Sequence, residues 1–198
     1  PKKDYLPAVE APPGLPPGAA IEARQAAGEA VAAFIGGDLE AAEARFDAAR
    51  ALNPELRPYL WQRGIAKYYL GKFDEAAEQF GDDMADPVFP NDVEEVLWKY
   101  LAEARIYGPA RARARLVEAG SGYRDRRPFM RAAFRAYADG EAPPVPASSS
   151  AEAGGGSERA AFYATFYAAL WHESQGHAAE ARALMRQAAG LPYGREER

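Results

Sequence analysis

The chain has 198 residues, 48% of them hydrophobic and 12% aromatic, with a formal net charge of −5 and no cysteine. That hydrophobic fraction supports a packed core and excludes wholesale disorder, while no apolar run approaches the roughly 18–20 residues that span a bilayer. Without cysteine there are no disulfides, thiolate zinc sites or cysteine nucleophiles, which is compatible with an oxidising compartment without demanding one.

The chain opens on Pro1 rather than methionine, as expected after removal of a targeting segment or in a shortened chain. Residues 1–19 carry Pro1, Pro7, Pro12, Pro13, Pro16 and Pro17 with Gly14 and Gly18. Proline fixes φ and has no amide donor, so this segment is expected to be an extended arm. From about Ala20 apolar residues fall at helical spacing, and the expected helices are 20–36, 39–52, 58–70, 73–85, 91–107, 109–119, 127–138, 157–175 and 177–190. Gly37, Gly71, Gly108 and Gly176 separate paired stretches, where a tight helix-to-helix turn needs a residue that tolerates positive φ. No segment alternates as a strand does, so the fold class is all-α. The segment 139–158, "DGEAPPVPASSSAEAGGGSE", reads as a loop or linker that sets the last helix pair, 159–198, apart from the helical region 20–138.

Gly37 and Gly71 are 34 residues apart, as are Ala42 and Ala76, and Phe46 and Phe80. Glycine makes the turn, alanine lets two helices approach closely, phenylalanine fills the gap, and Pro54 ends the second helix of the first unit. In this pattern the chain resembles the tetratricopeptide repeat family, whose 34-residue units carry small residues at repeat positions 8 and 20, an aromatic at 24 and proline at 32. Residues 57–90 match best, through Gly64, Gly71, Ala76 and Phe80. Residues 23–56 match in their second helix, and 162–192 match through Ala169, Gly176, Ala181 and Ala188, with Met185 in place of the aromatic. The stretch 91–120 fits only with four residues inserted near "DPVFPND". The resemblance implies a right-handed array of antiparallel helix pairs that works as a non-enzymatic protein-binding scaffold, a subunit or assembly factor of a larger complex. It also implies that first helices line the binding face, which here means Trp61, Tyr68 and Tyr69, then Lys99, Glu103 and Tyr107, then Tyr163 and Phe166. The Lys and Asn with which one subset of the family clamps a carboxylate are absent: Ala27 and Val31 stand in their places.

Charge is distributed unevenly. Nine acidic and no basic residues lie between Asp74 and Glu95, whereas nine Arg and only Glu118 and Asp125 lie between Arg105 and Arg135. The second region gives the alternative function, binding of RNA or another polyanion by Arg111, Arg113, Arg115, Arg124, Arg126 and Arg127 with aromatic residues interleaved. Against it, the acidic run would repel nucleic acid, and Arg outnumbers Lys 19 to 5 in an alanine-rich chain, a compositional bias. His172 and His177 straddle Gly176, and a five-residue separation across a turn is not expected to set both rings on one face. No cofactor, metal site or catalytic residue is expected, since no phosphate-loop, dinucleotide or zinc-protease motif occurs. By analogy with helical-repeat subunits, an imported plastid or mitochondrial protein is expected, with a bacterial periplasm next.

Overall fold

The computed structural model describes residues 12–85, 92–119, 125–146 and 155–196. Among them the regular secondary structure is all helix, with no strand, and the chain divides into two compact units, Pro1–Pro90 and Asn91–Arg198. No helix is long and apolar enough to cross a membrane among the described residues.

The first unit holds α1 (Ala19–Ile35), α2 (Leu39–Leu52), a 3-10 turn (Pro54–Tyr59), α3 (Trp61–Tyr69) and α4 (Phe73–Ala85). Each α-helix packs on the next. The described part of the proline-rich segment is turn, not extended arm. In Pro12-Pro13-Gly14-Leu15 the Leu15 amide donates to the Pro12 carbonyl at 3.3 Å, and in Pro16-Pro17-Gly18-Ala19 the Ala19 amide donates to Pro16 at 3.1 Å. Proline followed by a positive-φ glycine suits the two central places of a type II turn. Residues 1–11 lie outside the described residues.

The 34-residue spacing is present in the hydrogen bonds themselves. At the end of α1, Gly36, Gly37 and Asp38 donate to the carbonyls of Ala32, Phe34 and Ala33. At the end of α3, Leu70, Gly71 and Lys72 donate to Ala66, Tyr68 and Lys67. Every donor and acceptor has moved by the same 34 positions, and Gly37 and Gly71 hold φ of 82° and 77°. This is the Schellman closure, which needs a residue free to adopt left-handed backbone. Connections this short leave each pair antiparallel.

Packing repeats with the turns. Ala42 and Phe46 of α2 and Ala76 and Phe80 of α4 are all fully buried. Gly64 lies so close to Phe80 that an added Cβ would sit 2.6 Å from the ring. One period earlier Ala30 and Phe46 are both fully buried in the same core cluster. One expected boundary is corrected here. Pro58 lies in the 3-10 turn and α3 begins only at Trp61, because Pro54 and Pro58 both withhold the amides that a regular helix would use.

The second unit holds α5 (Val93–Tyr107), α6 (Pro109–Ala119), α7 (Pro128–Asp139), α8 (Gly155–Ser174), α9 (Ala178–Gly190) and the short α10 (Pro192–Glu196). The α8–α9 turn repeats the closure again, with Gln175, Gly176 and His177 donating to Trp171, Glu173 and His172. Two differences from the sequence reading stand out. The unit boundary falls at Pro90, and α7 packs on α8, so the described residues 140–146 belong to the same unit as both helices. Within that stretch, Pro143 is buried, and Pro143, Pro144 and Pro146 border an apolar cavity of about 250 Å³ between α7 and α8. Helix α8 also starts inside the glycine run, at Gly155, with Glu158 in its first turn where the helix dipole favours an acid.

Candidate functional site

Helix α3 was expected to present Trp61, Tyr68 and Tyr69 as one outward stripe. It does not. Seven of its nine residues are buried, because α2 packs on one side and α4 on the other. Tyr68 is only 2% exposed, its ring edge-on to Tyr69 at 5.1 Å and to Phe73 at 5.5 Å. Trp61 is half-buried. Tyr69, the last residue of the helix, is the most open of the three, at 46% exposure.

What α3 buries includes charge. Lys67 is 1% exposed and donates to Glu43 of α2 at 2.7 Å and to Glu75 of α4. Lys72 adds a second cation to Glu43 at 2.6 Å. Burial raises the Glu43 pKa, but hydrogen bonds and charge from Lys67 and Lys72 outweigh it and hold the carboxyl below its ordinary value. One turn along, Arg63 donates to Asp47 of α2 and to Gln79 of α4, both at 2.5 Å, and Gln79 donates on to both oxygens of Asp83. Desolvated ions are tolerated only when paired and hydrogen-bonded in this way. A signal for this ladder existed in the four-residue rhythm of Glu43 and Asp47, of Arg63 and Lys67, and of Glu75, Gln79 and Asp83.

In the second unit the structure joins residues from both sequence-level hypotheses. Tyr107 ends α5 and is 43% exposed. The one-residue link at Gly108 lets α6 start at once, and Arg111 and Arg115 set their guanidiniums 5.0 and 5.4 Å from the Tyr107 ring centre. Arg115 also pairs with Glu103 at 3.0 Å, and Lys99 faces the same carboxylate oxygen at 3.8 Å. Glu103 is itself buried and so cannot form part of an open face; it serves as the anchor beneath the patch.

The other candidates are not assembled with this patch. Arg113 turns to the Asp139 carbonyl at 3.1 Å. Arg126 is exposed, and Arg124 lies outside the described residues. Arg127 is committed to carboxylates: it meets Asp125 at 2.5 Å, Glu94 at 2.9 Å and Asp92 at 3.7 Å. Burial would lower its pKa, but the hydrogen bond to Asp125 and the charge of Glu94 prevail and hold it above its ordinary value. It is a clamp between the starts of α5 and α7, not a polyanion contact.

Tyr163 and Phe166 were expected on a binding face and are instead half-buried in an aromatic cluster. Phe129 stacks on Tyr163 at 5.1 Å, Phe162 stacks on Phe166 at 5.7 Å, and Trp98 lies 6.4 Å from Phe166. Tyr193 of α10 closes over Phe162 and Tyr163. Tyr163 and Phe166 are three residues apart and so share one face of α8, which packs on α7 and α5.

The histidines also differ from expectation, since the Gly176 turn brings the two Nδ1 atoms to 3.3 Å. Burial first, and the charge of His177 next, lower the His172 pKa. Among the described residues no group of three or more His, Asp or Glu gathers as a metal site would require, and the pair reads as a single hydrogen bond in which one Nδ1–H donates to the unprotonated Nδ1 of the other ring.

No protein-family model matches the chain, and no curated protein matches it. The site therefore rests on its own geometry.

Proposed function

We propose that this protein is a non-enzymatic scaffold of tetratricopeptide-like type, a right-handed array of helix pairs that binds another protein as part of a larger complex. One observation carries the reading. The large apolar residues most exposed among those described are Ile21, Ile35, Val117, Tyr69 and Tyr107. Three of them, Ile35, Tyr69 and Tyr107, are the last residues of α1, α3 and α5, the first helices of successive pairs. A large side chain that recurs at one structural position, 69%, 46% and 43% exposed in turn, leaves much of its surface open to solvent each time. Exposed tyrosine with arginine beside it is also the composition of interface anchors.

The test is Tyr69→Ala, alone and with Tyr107→Ala, measuring thermal stability and recovery of the partner from native extract on the same samples. Truncating an anchor typically removes about 2 kcal/mol or more of binding, so recovery should collapse while melting stays near wild type. Lost stability with undiminished partner recovery would sink the proposal. The second reading, polyanion binding, draws on Arg111, Arg126 and Arg135, which are exposed and have no carboxylate partner among the described residues. Tight RNA binding that weakens steeply with salt would favour it.

A further inference from the structure

Resting on the protein-binding reading, we propose that the Tyr107–Arg111–Arg115 patch receives an acidic linear segment of the partner protein. Carboxylates of the segment meet the two guanidiniums while an apolar side chain lies on the exposed part of the Tyr107 ring.

The charge around the ring is out of balance. Lys99 and Arg115 share the single carboxylate of Glu103, and the Glu103 side chain is only 5% exposed, so it is spent beneath the patch. Arg111 has no carboxylate partner among the described residues; its recorded contact is the face of Tyr107. Two cations thus share one buried anion, and Arg111, exposed beside them, adds a third positive charge with no carboxylate among the described residues to balance it.

The cations are also held in place. Guanidiniums over an aromatic face are attracted by the ring quadrupole, and Arg115 is fixed a second time by Glu103. Side chains already ordered lose less entropy when a ligand arrives. The planar fork of arginine matches a carboxylate through two parallel hydrogen bonds.

The extent of the patch favours a protein segment over nucleic acid. A strand of RNA needs a run of cations that follows successive phosphates. Here Arg113 is turned to the Asp139 carbonyl and Arg127 is enclosed by carboxylates, so two of the arginines such a run would need are already engaged.

Three fluorescent probes test this on the full chain: a peptide of repeated Glu-Glu-Phe, its Gln-Gln-Phe counterpart, and an oligouridine. Wild-type protein should prefer the glutamate peptide to the glutamine one by about tenfold or more, the equivalent of one strong charged contact. Arg111→Glu should abolish that preference, and Tyr107→Ala should weaken binding of the glutamate peptide. Arg135→Glu makes the same charge change at an exposed site on α7 and should leave the preference intact. If Arg111→Glu melts early, Arg111→Gln is read in its place. No preference for the glutamate peptide, an equal loss in Arg135→Glu, or tighter binding of oligouridine that Arg111→Glu removes would each overturn the proposal. Native partner recovery separates this failure from the broader one. Recovery lost in Tyr69→Ala but unchanged in Arg111→Glu refutes the acidic segment and leaves protein binding standing.

Discussion

The first unit joins its helices with alanine, a repeated phenylalanine and a ladder of buried charges, whereas the second joins them with aromatic rings. In α1–α4 the helices approach closely because Ala30, Ala42, Gly64 and Ala76 are small, and Phe46 and Phe80 fill what remains. In α5–α9 larger rings fill the space: Tyr137 lies 5.0 Å from Tyr100, and its hydroxyl donates to the Tyr167 carbonyl at 2.8 Å. The same glycine turn serves both units, at Gly37, Gly71 and Gly176. The difference teaches that the turn and the pairing do not dictate how the gap between helices is filled. A strict 34-residue register survives where the filling is small and repetitive, and is lost where each ring needs its own place.

The comparison can be broken most severely at Tyr137. It is fully buried, and truncating a large aromatic typically costs about 3–5 kcal/mol. Tyr137→Ala should therefore collapse amide protection across α5, α7 and α8. If exchange in those helices is unchanged, the ring cluster is not what holds the second unit.

A smaller effect is expected at the tight approach in the first unit. Gly64→Ala puts a methyl group 2.6 Å from a buried Phe80 ring that has little room to move. Overpacking costs about 1–3 kcal/mol, and the denaturation midpoint should fall accordingly. Ala30, one period earlier, already carries a methyl in the buried core it shares with Phe46, so Ala30→Gly should not mirror the change as a gain. A Gly64→Ala variant that melts like wild type would show that α3 and α4 can slide apart freely.

The smallest effect distinguishes the charge ladder by pH. The Glu43 carboxyl is held below its ordinary value of 4.5, so the folded state binds its proton less readily than the unfolded chain. Its contribution is fully present above about pH 4.5 and is lost as pH falls through the lowered folded value. Glu43→Gln should accordingly flatten the acid limb of the first unit's stability curve while leaving that of the second unit alone. An unchanged acid limb would show that Lys67 and Lys72 gain nothing from Glu43.

Much of the fold was legible because its determinants are local. Positive-φ glycines announce turns, proline announces helix starts and stops, and a 34-residue spacing of Gly, Ala and Phe announces paired helices. The candidate site was less legible, because a helix's amino acids do not state how many neighbours it has. Tyr68 and Tyr69 are adjacent and chemically identical, yet one is core and the other is open to solvent. Lys67 resembles any surface lysine until Glu43 and Glu75 arrive from helices on either side. The same holds for the arginines, of which Arg111 is offered to solvent, Arg113 caps α7 and Arg127 is enclosed. The sequence by itself determined the helices, their turns and their pairing, since these follow from backbone preferences within a few residues. Only tertiary structure decided which side chains remain for a partner, because exposure is what is left after every neighbouring helix has taken its share of each surface.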